Sequence, residues 1–171
     1  MKKFYGLIFI TLLGASILKA QNCSIKQGGH SYTMCIPDYL TRTFKLNKVA
    51  SLQYQNTSKK VYVVVIHDTK EELEQAGTKF INARDFLDNF TKDYKKDAKK
   101  RKLGNVIEFV SNDNGHAQVE LTWKGDNIDF SMLITAVETK KAFYKILAWT
   151  ILENKDKFKS DFTEMSKSIK D

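Results

Sequence analysis

The stretch HAQVELTWKGDNIDFSMLITAVETKKAFYKILAWTIL, residues 116–152, decides the fold of this chain. Residues 116–124 alternate apolar and polar side chains, and residues 128–137 do the same. Residues 142–152 are mostly apolar on both faces, with Lys145 as the charged exception. Alternation is typical of strands with one buried face, and a mostly apolar run is typical of a strand covered on both. The turns between these runs are so short that only antiparallel pairing is possible.

Four more strands are predicted upstream of these three runs. Residues 31–36 and residues 50–55 alternate apolar and polar side chains. Residues 61–66, VYVVVI, are apolar throughout and five of the six are β-branched, which predicts a central strand. Residues 106–110 precede the sequence Asn-Asp-Asn-Gly at 112–115, which is typical of a hairpin turn.

Three helices are predicted between and after these strands. A short helix covers residues 70–76, and a long middle helix covers residues 82–101. In the long helix, aromatic side chains recur every four positions: Phe86, Phe90 and Tyr94. A last helix covers residues 155–170 and carries one apolar stripe: Phe158, Phe162, Met165 and Ile169. The element order predicts an α+β fold, an antiparallel sheet of about six or seven strands with the long middle helix and the C-terminal helix packed on it.

This order resembles the PsbP/Mog/DcrB-like fold of small α+β proteins. The resemblance covers residues 31–169 and rests on five features, taken in chain order. They are the early strand Tyr32–Ile36 followed by Pro37, the strand pair Ala50–Tyr54 and Val61–Ile66, the long middle helix, the meander from Val106 and the helix after Leu152. The resemblance implies an accessory, binding or assembly role without catalysis, and many secreted bacterial members have no assigned role. No family motif matches residue for residue, so the resemblance implies no functional residue.

The first twenty residues have the layout of a secretory signal peptide. Lys2 and Lys3 form a positive start, residues 4–18 carry no charge, and Ala20 is the small residue at the predicted cleavage position. A membrane anchor would need roughly 20 apolar residues, and Lys19 ends this run earlier. The Ala-Gln junction resembles those of secreted proteins from Bacteroidetes-type bacteria. Signal cleavage after Ala20 is therefore the prediction.

Cleavage there would leave residues 21–171 as the mature chain, which we expect to form one domain in a secreted or periplasmic location. The processed chain would not be an integral membrane protein. Lipid modification of Cys23 is a weaker alternative, because Asn22 stands where that processing needs a small residue. Three lysines and no acidic residue lie in residues 1–20, so the formal net charge of +8 would fall to +5.

The two cysteines of the chain, Cys23 and Cys35, are twelve positions apart. In an oxidising compartment such a pair is most simply a structural disulfide. The alternatives are free thiols or a redox pair, but redox pairs usually lie two residues apart at the start of a helix. A Cys23–Cys35 bond would tie the N-terminal segment, with Gly28 and Gly29, to the first predicted strand.

The composition excludes several classes of protein. With 171 residues, 42% of them apolar, one proline and two cysteines, the chain is neither disordered, nor fibrous, nor a disulfide-framed miniprotein. Its densest charge is the run 95–102, KKDAKKRK, which has six bases: Lys95, Lys96, Lys99, Lys100, Arg101 and Lys102. The simplest interpretation is a solvated helix end, where cations are stabilising. The alternative is a patch for an anionic envelope surface, whereas export argues against nucleic acid as the partner.

Residue patterns give little support to catalysis, and no cofactor is predicted. His30, His67 and His116 lie far apart in sequence, and the chain lacks both a Gly-x-Ser-x-Gly elbow and a glycine-rich phosphate loop. Aromatic residues of the meander, Trp123, Phe143, Tyr144 and Trp149, are interpreted first as core and second as the lining of a pocket. The function predicted is non-enzymatic: a binding or accessory protein of the cell envelope with a partner that the sequence does not identify. The alternatives are a small envelope hydrolase and a carrier of an apolar ligand.

Overall fold

An antiparallel sheet of eight strands organises the part of the chain that the computed structural model describes, residues 22–29 and 31–171. Along the sheet the order is β3-β4-β5-β10-β9-β8-β6. Strand β7 is not part of this sequence of neighbours and pairs directly with β8. The strand bounds are β3 Thr41–Arg42, β4 Leu52–Asn56, β5 Val61–Thr69, β6 Lys102–Leu103, β7 Ile107–Ser111, β8 Asn114–Lys124, β9 Asp129–Glu138 and β10 Ala142–Ile151.

The predicted meander is confirmed as β7 to β10, in which every neighbouring pair is antiparallel. The turn before β8 is the hairpin turn that its sequence predicts, since Asn112 and Asp113 both have positive φ, 53° and 62°. Strand β10 then pairs with β5, so that the mostly apolar strands from the two halves of the chain lie side by side. Each of them has a neighbour on both sides and side chains buried on both faces, as their apolar sequences predict.

A separate two-stranded sheet, β1 Cys23–Gly28 and β2 Tyr32–Pro37, lies outside the main sheet. The early strand was therefore predicted correctly, but its partner is a strand that the alternation did not indicate. Gly28 faces Tyr32 in this hairpin, and the tyrosine ring occupies the space that a Cβ at Gly28 would need. The Cys23–Cys35 disulfide joins the two strands with 5.6 Å between the Cα atoms.

The three helices are α1 Lys70–Gln75, α2 Ala83–Thr91 and α3 Lys155–Lys167, the last of which follows a single 3₁₀ turn, Leu152–Asn154. Helix α1 begins with a capping box between Thr69 and Glu72, whose pKa is lowered by the hydrogen bonds that its carboxylate accepts from Thr69. The prediction that the middle helix extends to Arg101 is wrong, because α2 ends at Thr91 and residues 92–100 form a series of turns. Lys95 and Lys100 have positive φ, 52° and 53°, which a right-handed helix does not allow.

Helices cover both faces of the sheet. Helix α3 and the β1–β2 hairpin close one face, here called the α3 face, over side chains such as Val63, Tyr144 and Ile146. Helix α2 covers part of the opposite face, the α2 face, where Val64, Ile134 and Leu147 are buried. The architecture is therefore α+β, as predicted, with a larger sheet than expected and a shorter middle helix. Within residues 22–29 and 31–171, none of the helices has the length and apolar character needed to cross a membrane.

Candidate functional site

The basic segment, residues 95–102, lies next to the end of the sheet where β8 turns into β9. It begins on the α2 face, where Lys95 packs on Trp123, and ends at Lys102, which lines a cleft beside α3. The backbone carbonyl of Lys99 accepts a hydrogen bond from the amide of Lys124, at 2.7 Å. Lys102 belongs to β6 and pairs with Thr122 of β8. The segment is thus an ordered part of the fold, and its interpretation as the solvated end of a helix is wrong, because the helix ends before it.

The six bases of the segment have different roles. The guanidinium of Arg101 donates to the carbonyl oxygens of Thr91, at 2.7 Å, and Tyr94, at 3.2 Å, so it binds the carboxyl end of α2. Lys96 forms an ion pair with Asp93, 3.6 Å between Nζ and Oδ1. Lys99, Lys100 and Lys102 are exposed, and they leave their ammonium groups at the surface.

Lys95 folds back over an aromatic ring. Its ammonium group lies 4.5 Å from the centre of the Trp123 ring and 5.8 Å from that of Tyr94, both within the range of a cation–π contact. The positive φ of Lys95 costs about 1–2 kcal/mol for a residue with a Cβ. Burial raises the pKa of Tyr94 above its usual value, so this phenol stays neutral beside the lysine.

Beneath Lys95 lies an open cleft of about 220 Å³, here called the aromatic cleft. Its lining includes Tyr94, Trp123 and Trp149, together with apolar side chains of the sheet. Trp149 is stacked against Tyr62, with 5.3 Å between ring centres, and Trp123 is stacked against Phe130 at 5.1 Å. Lys95 of the basic segment and the two tryptophans, which the sequence presents as separate features, therefore line one cleft.

Not all the aromatic residues singled out in the sequence lie there. Phe143 packs against Phe86 under α2, with 5.0 Å between ring centres. Tyr144 is on the α3 face, where burial and the carboxylate of Asp171 raise its pKa well above the usual value. For Tyr144 the interpretation as core is correct, whereas Phe143 belongs to the core and also lines a cleft.

The wall opposite the basic segment is a loop that sequence patterns did not indicate, residues 42–50, here called the cleft loop. Leu46 and Asn47 line the cleft from this side. The buried Gln53 side chain holds the loop: its Oε1 accepts from the amides of Leu46 and Asn47, at 2.9 and 3.0 Å, and its Nε2 donates to the Asn47 carbonyl at 2.6 Å. These hydrogen bonds join the loop to a side chain in β4. The loop sequence has no periodicity, so it does not predict them.

Larger clefts lie elsewhere on the described part of the chain, and two of them exceed 400 Å³. One of about 600 Å³ is lined by Leu73, Phe80 and Phe143 and is closed on one side by the Lys70–Glu138 ion pair, 2.8 Å. Another of about 460 Å³ lies beside α3, where Lys155 contacts Glu120 at 3.2 Å. The first is the larger and the more apolar in its side chains.

Groups with catalytic potential are few among the described residues. No three His, Cys, Asp or Glu side chains of residues 22–29 and 31–171 lie close enough together to hold a metal ion. Ser51 Oγ lies 3.2 Å from Nδ1 of His67, but the same hydroxyl is 2.9 Å from the hydroxyl of Tyr32 and donates to the Val65 carbonyl. Burial raises the pKa of Tyr32 to about 12. This network joins the β1–β2 hairpin to the sheet.

Two of the predicted features lie outside the described residues. They are the signal peptide with its cleavage position at Ala20, and the imidazole of His30. His116 is described and is buried against α3, where Nε2 lies 3.3 Å from the Ser166 carbonyl.

Solved structures with a similar fold include proteins from three bacteria. Cyanobacterial PsbP (CyanoP) from Synechocystis sp. PCC 6803 superposes with a TM-score of 0.62 at 15% identity, over 93% of this chain and 98% of that one. LpqN of Mycobacterium tuberculosis, described as involved in cell envelope biogenesis, gives 0.58 at 8% identity, over 86% and 89%. A Pseudomonas aeruginosa protein of unknown function, a putative regulator, gives 0.51 at 10% identity, over 85% and 94%.

The fold is PsbP-like. No protein-family model matches the chain, and no curated protein sequence matches it. The resemblance expected from element order is thus confirmed at the level of three-dimensional structure, where the similarity covers nearly the whole of both chains. At identities of 8–15% the similarity shows the fold alone.

Proposed function

We propose that this protein is a non-enzymatic binding or accessory protein of the cell envelope, located outside the cytoplasm, that binds an anionic partner through its basic segment. The Cys23–Cys35 disulfide and the signal-peptide layout of residues 1–20 support the location. The description of LpqN as a protein of cell envelope biogenesis supports the setting. The partner is a polyphosphate-like or glycan polymer of the envelope or the headgroups of anionic lipids, which share fixed negative charge.

One observation carries the proposal: backbone contacts hold the exposed residues Lys99, Lys100 and Lys102 beside the exposed Lys124 at one end of the sheet. The Lys124–Lys99 and Lys102–Thr122 backbone contacts hold these residues together. Lysines held close together repel one another and give no evident gain to the fold. A surface that concentrates positive charge in this way attracts polyanions and anionic headgroups.

The test replaces three of these lysines. Lys99→Gln/Lys100→Gln/Lys102→Gln should weaken binding to phosphatidylglycerol-containing vesicles on the order of 100-fold, since each lysine near an anionic surface contributes about 1 kcal/mol. Lys95 is left unchanged because it packs on Trp123. Binding is measured by co-sedimentation with vesicles and, separately, by fluorescence anisotropy with labelled polyphosphate, and the two arms distinguish a lipid from a polymer as the source of the charge.

The matched control is Lys140→Gln/Lys141→Gln/Lys170→Gln. These lysines are also exposed. They lie at the opposite end of the sheet, near the turn between β9 and β10 and the end of the chain. The control removes the same charge, so both probes should retain most of their affinity. Equal losses for the two triple variants would mean that net charge alone acts, and unchanged binding of both probes by the first variant would overturn the proposal.

The apolar-ligand carrier is the second candidate function, because the cleft of about 600 Å³ beside Phe80 and Phe143 is within the size range of small-molecule sites. The envelope hydrolase would have to use the Ser51–His67 contact. There the serine hydroxyl already donates to the Val65 carbonyl, which supports a structural role for this pair.

A further inference from the structure

The cleft loop exposes two large apolar side chains. Phe44 is 74% exposed and Val49 is 73% exposed. Both lie in a loop whose neighbouring residues, Leu46 and Ala50, pack against the α2-face core. Leu46 and Ala50 show that side chains of this loop can reach the core. Phe44 and Val49 therefore point outward because of the conformation of the loop.

Hydrogen bonds hold the loop in this shape. In addition to the Gln53 bridge, Asn47 Oδ1 accepts from the amides of Val49 and Ala50, at 2.9 and 3.1 Å. Thr43 is buried, and its amide donates to the Gln53 carbonyl at 3.0 Å. The loop is therefore ordered before any partner binds, so that binding costs little conformational entropy.

The charged side chains of the cleft loop are all positive. Arg42, Lys45 and Lys48 belong to the loop and are exposed, and the Arg42 guanidinium lies 5.2 Å from the centre of the Phe44 ring. Residues 39–67 contain no Asp or Glu. Across the aromatic cleft stands the basic segment, since Leu46 and Asn47 line one side and Tyr94 and Lys95 the other.

Apolar side chains that project from a rigid loop between cations have the chemistry of a membrane interface. The rings and branched chains enter the boundary between headgroups and acyl chains, while lysine and arginine contact the phosphates. A soluble polyanion would use the cations but would gain nothing from Phe44 and Val49. A protein partner would require an acidic surface with an apolar pocket, which the uniform positive charge favours less than a lipid surface.

We propose that the cleft loop and the basic segment together form a docking surface for an anionic lipid bilayer, with Phe44 and Val49 as the inserting side chains. This inference rests on the proposed function and names its partner. It makes the protein a peripheral membrane protein that binds the bilayer from the α2 face. The aromatic cleft then opens toward the headgroups.

The test removes the apolar groups and keeps the charge. Phe44→Ser/Val49→Ser should weaken binding to phosphatidylglycerol-containing vesicles about tenfold, because the apolar area that enters the interface is lost. Its affinity for polyphosphate should stay the same. The matched control is Ile81→Ser/Val110→Ser, which removes side chains that are 84% and 76% exposed on other elements and should bind both probes as the wild type does. All variants share the same N-terminal residues, so any contribution from residues 1–20 is common to them.

A second measurement does not depend on the stability of the serine variant. In Phe44→Trp, the added indole should be quenched by brominated phosphatidylglycerol vesicles more strongly than the indoles of Trp123 and Trp149 in the wild type. Unchanged vesicle binding of Phe44→Ser/Val49→Ser, or the absence of added quenching, would overturn the inference while the lysine variants still test the proposed function. Loss of polyphosphate binding in the serine variant would also overturn it, because that probe offers no apolar phase.

Discussion

The α3 face and the α2 face of the sheet are covered in different ways. On the α3 face, helix α3 and the β1–β2 hairpin enclose a continuous core that includes Tyr32, Ile146 and Phe162, each no more than 3% exposed. The α2 face is covered by three separate segments: a shorter helix, the cleft loop and the basic segment. Trp149 and Tyr94 remain partly exposed between them.

The difference supports a structural role for the α3 face and the placement of the proposed site on the α2 face. Long regular elements cover a sheet closely, because an apolar stripe of a helix matches an apolar face. On the α3 face a cleft of about 460 Å³ nevertheless remains beside α3. Irregular segments leave gaps and place their own side chains outward, which is where ligand sites are usually found. In this protein the positive φ of Lys95 and Lys100, the exposed Phe44 and the aromatic cleft all lie on the α2 face.

The largest contrast is expected between Phe162→Ala and Trp149→Ala. Phe162 is buried in the α3-face core, so its truncation should lower the free energy of unfolding by about 3–5 kcal/mol. Trp149 is partly exposed and should cost less, about 1–2 kcal/mol. Urea unfolding followed by circular dichroism measures both values. Equal losses would show that the α2 face is packed as tightly as the α3 face.

The α3 face could be predicted from the sequence because its signals are periodic. The stripe of Phe158, Phe162 and Met165 in α3 reports burial directly, whereas the alternation of β8 and β9 indicates side chains that are buried on the α2 face, such as Val119 and Ile134. The exact sheet size was underestimated, since β3 and β6 have two residues each and are too short to alternate.

For the segments that cover the α2 face the same rules misled. Tyr94 continues the spacing of four that Phe86 and Phe90 begin, and its ring does contact Phe90, with 4.6 Å between ring centres. The backbone nevertheless leaves the helix at Thr91. Side-chain packing at this spacing does not require helical dihedral angles beyond that point, so the spacing alone does not show that the helix continues. The cleft loop depends on the Gln53 amide, a contact between residues that no local pattern marks. The bases of residues 95–102 could therefore be singled out from the sequence, whereas their backbone conformation and the cleft loop had to come from the structure.

Breaking the disulfide should weaken only the cover of the α3 face. Cys23→Ser/Cys35→Ser frees a loop of about 13 residues, which corresponds to roughly 3 kcal/mol of chain entropy. The expected fall in melting temperature is about 6–12 °C for a chain of this size. Calorimetry with and without dithiothreitol measures it: the reductant should shift the wild type toward the variant and leave the variant unchanged. Vesicle binding should be the same in both proteins, since the β1–β2 hairpin is on the opposite face from the basic segment.

The smallest effect expected is a pH dependence at the seam between β8 and α3. His116 is 2% exposed, and its burial lowers the pKa below 6.5 more than the carbonyls of Asn114 and Ser166 raise it; Lys167 adds a further lowering. The unfolded chain therefore binds a proton at a higher pH than the native one, and the stability that His116 contributes is complete above about pH 6.5 and is lost as the pH falls. Denaturant unfolding of the wild type from about pH 7 to about pH 5 should show this loss, and His116→Gln should remove part of the slope. If the slope of unfolding free energy against pH were identical in the variant, the acid sensitivity would arise from other groups. The contrast between the two faces would then not include the pH dependence of stability.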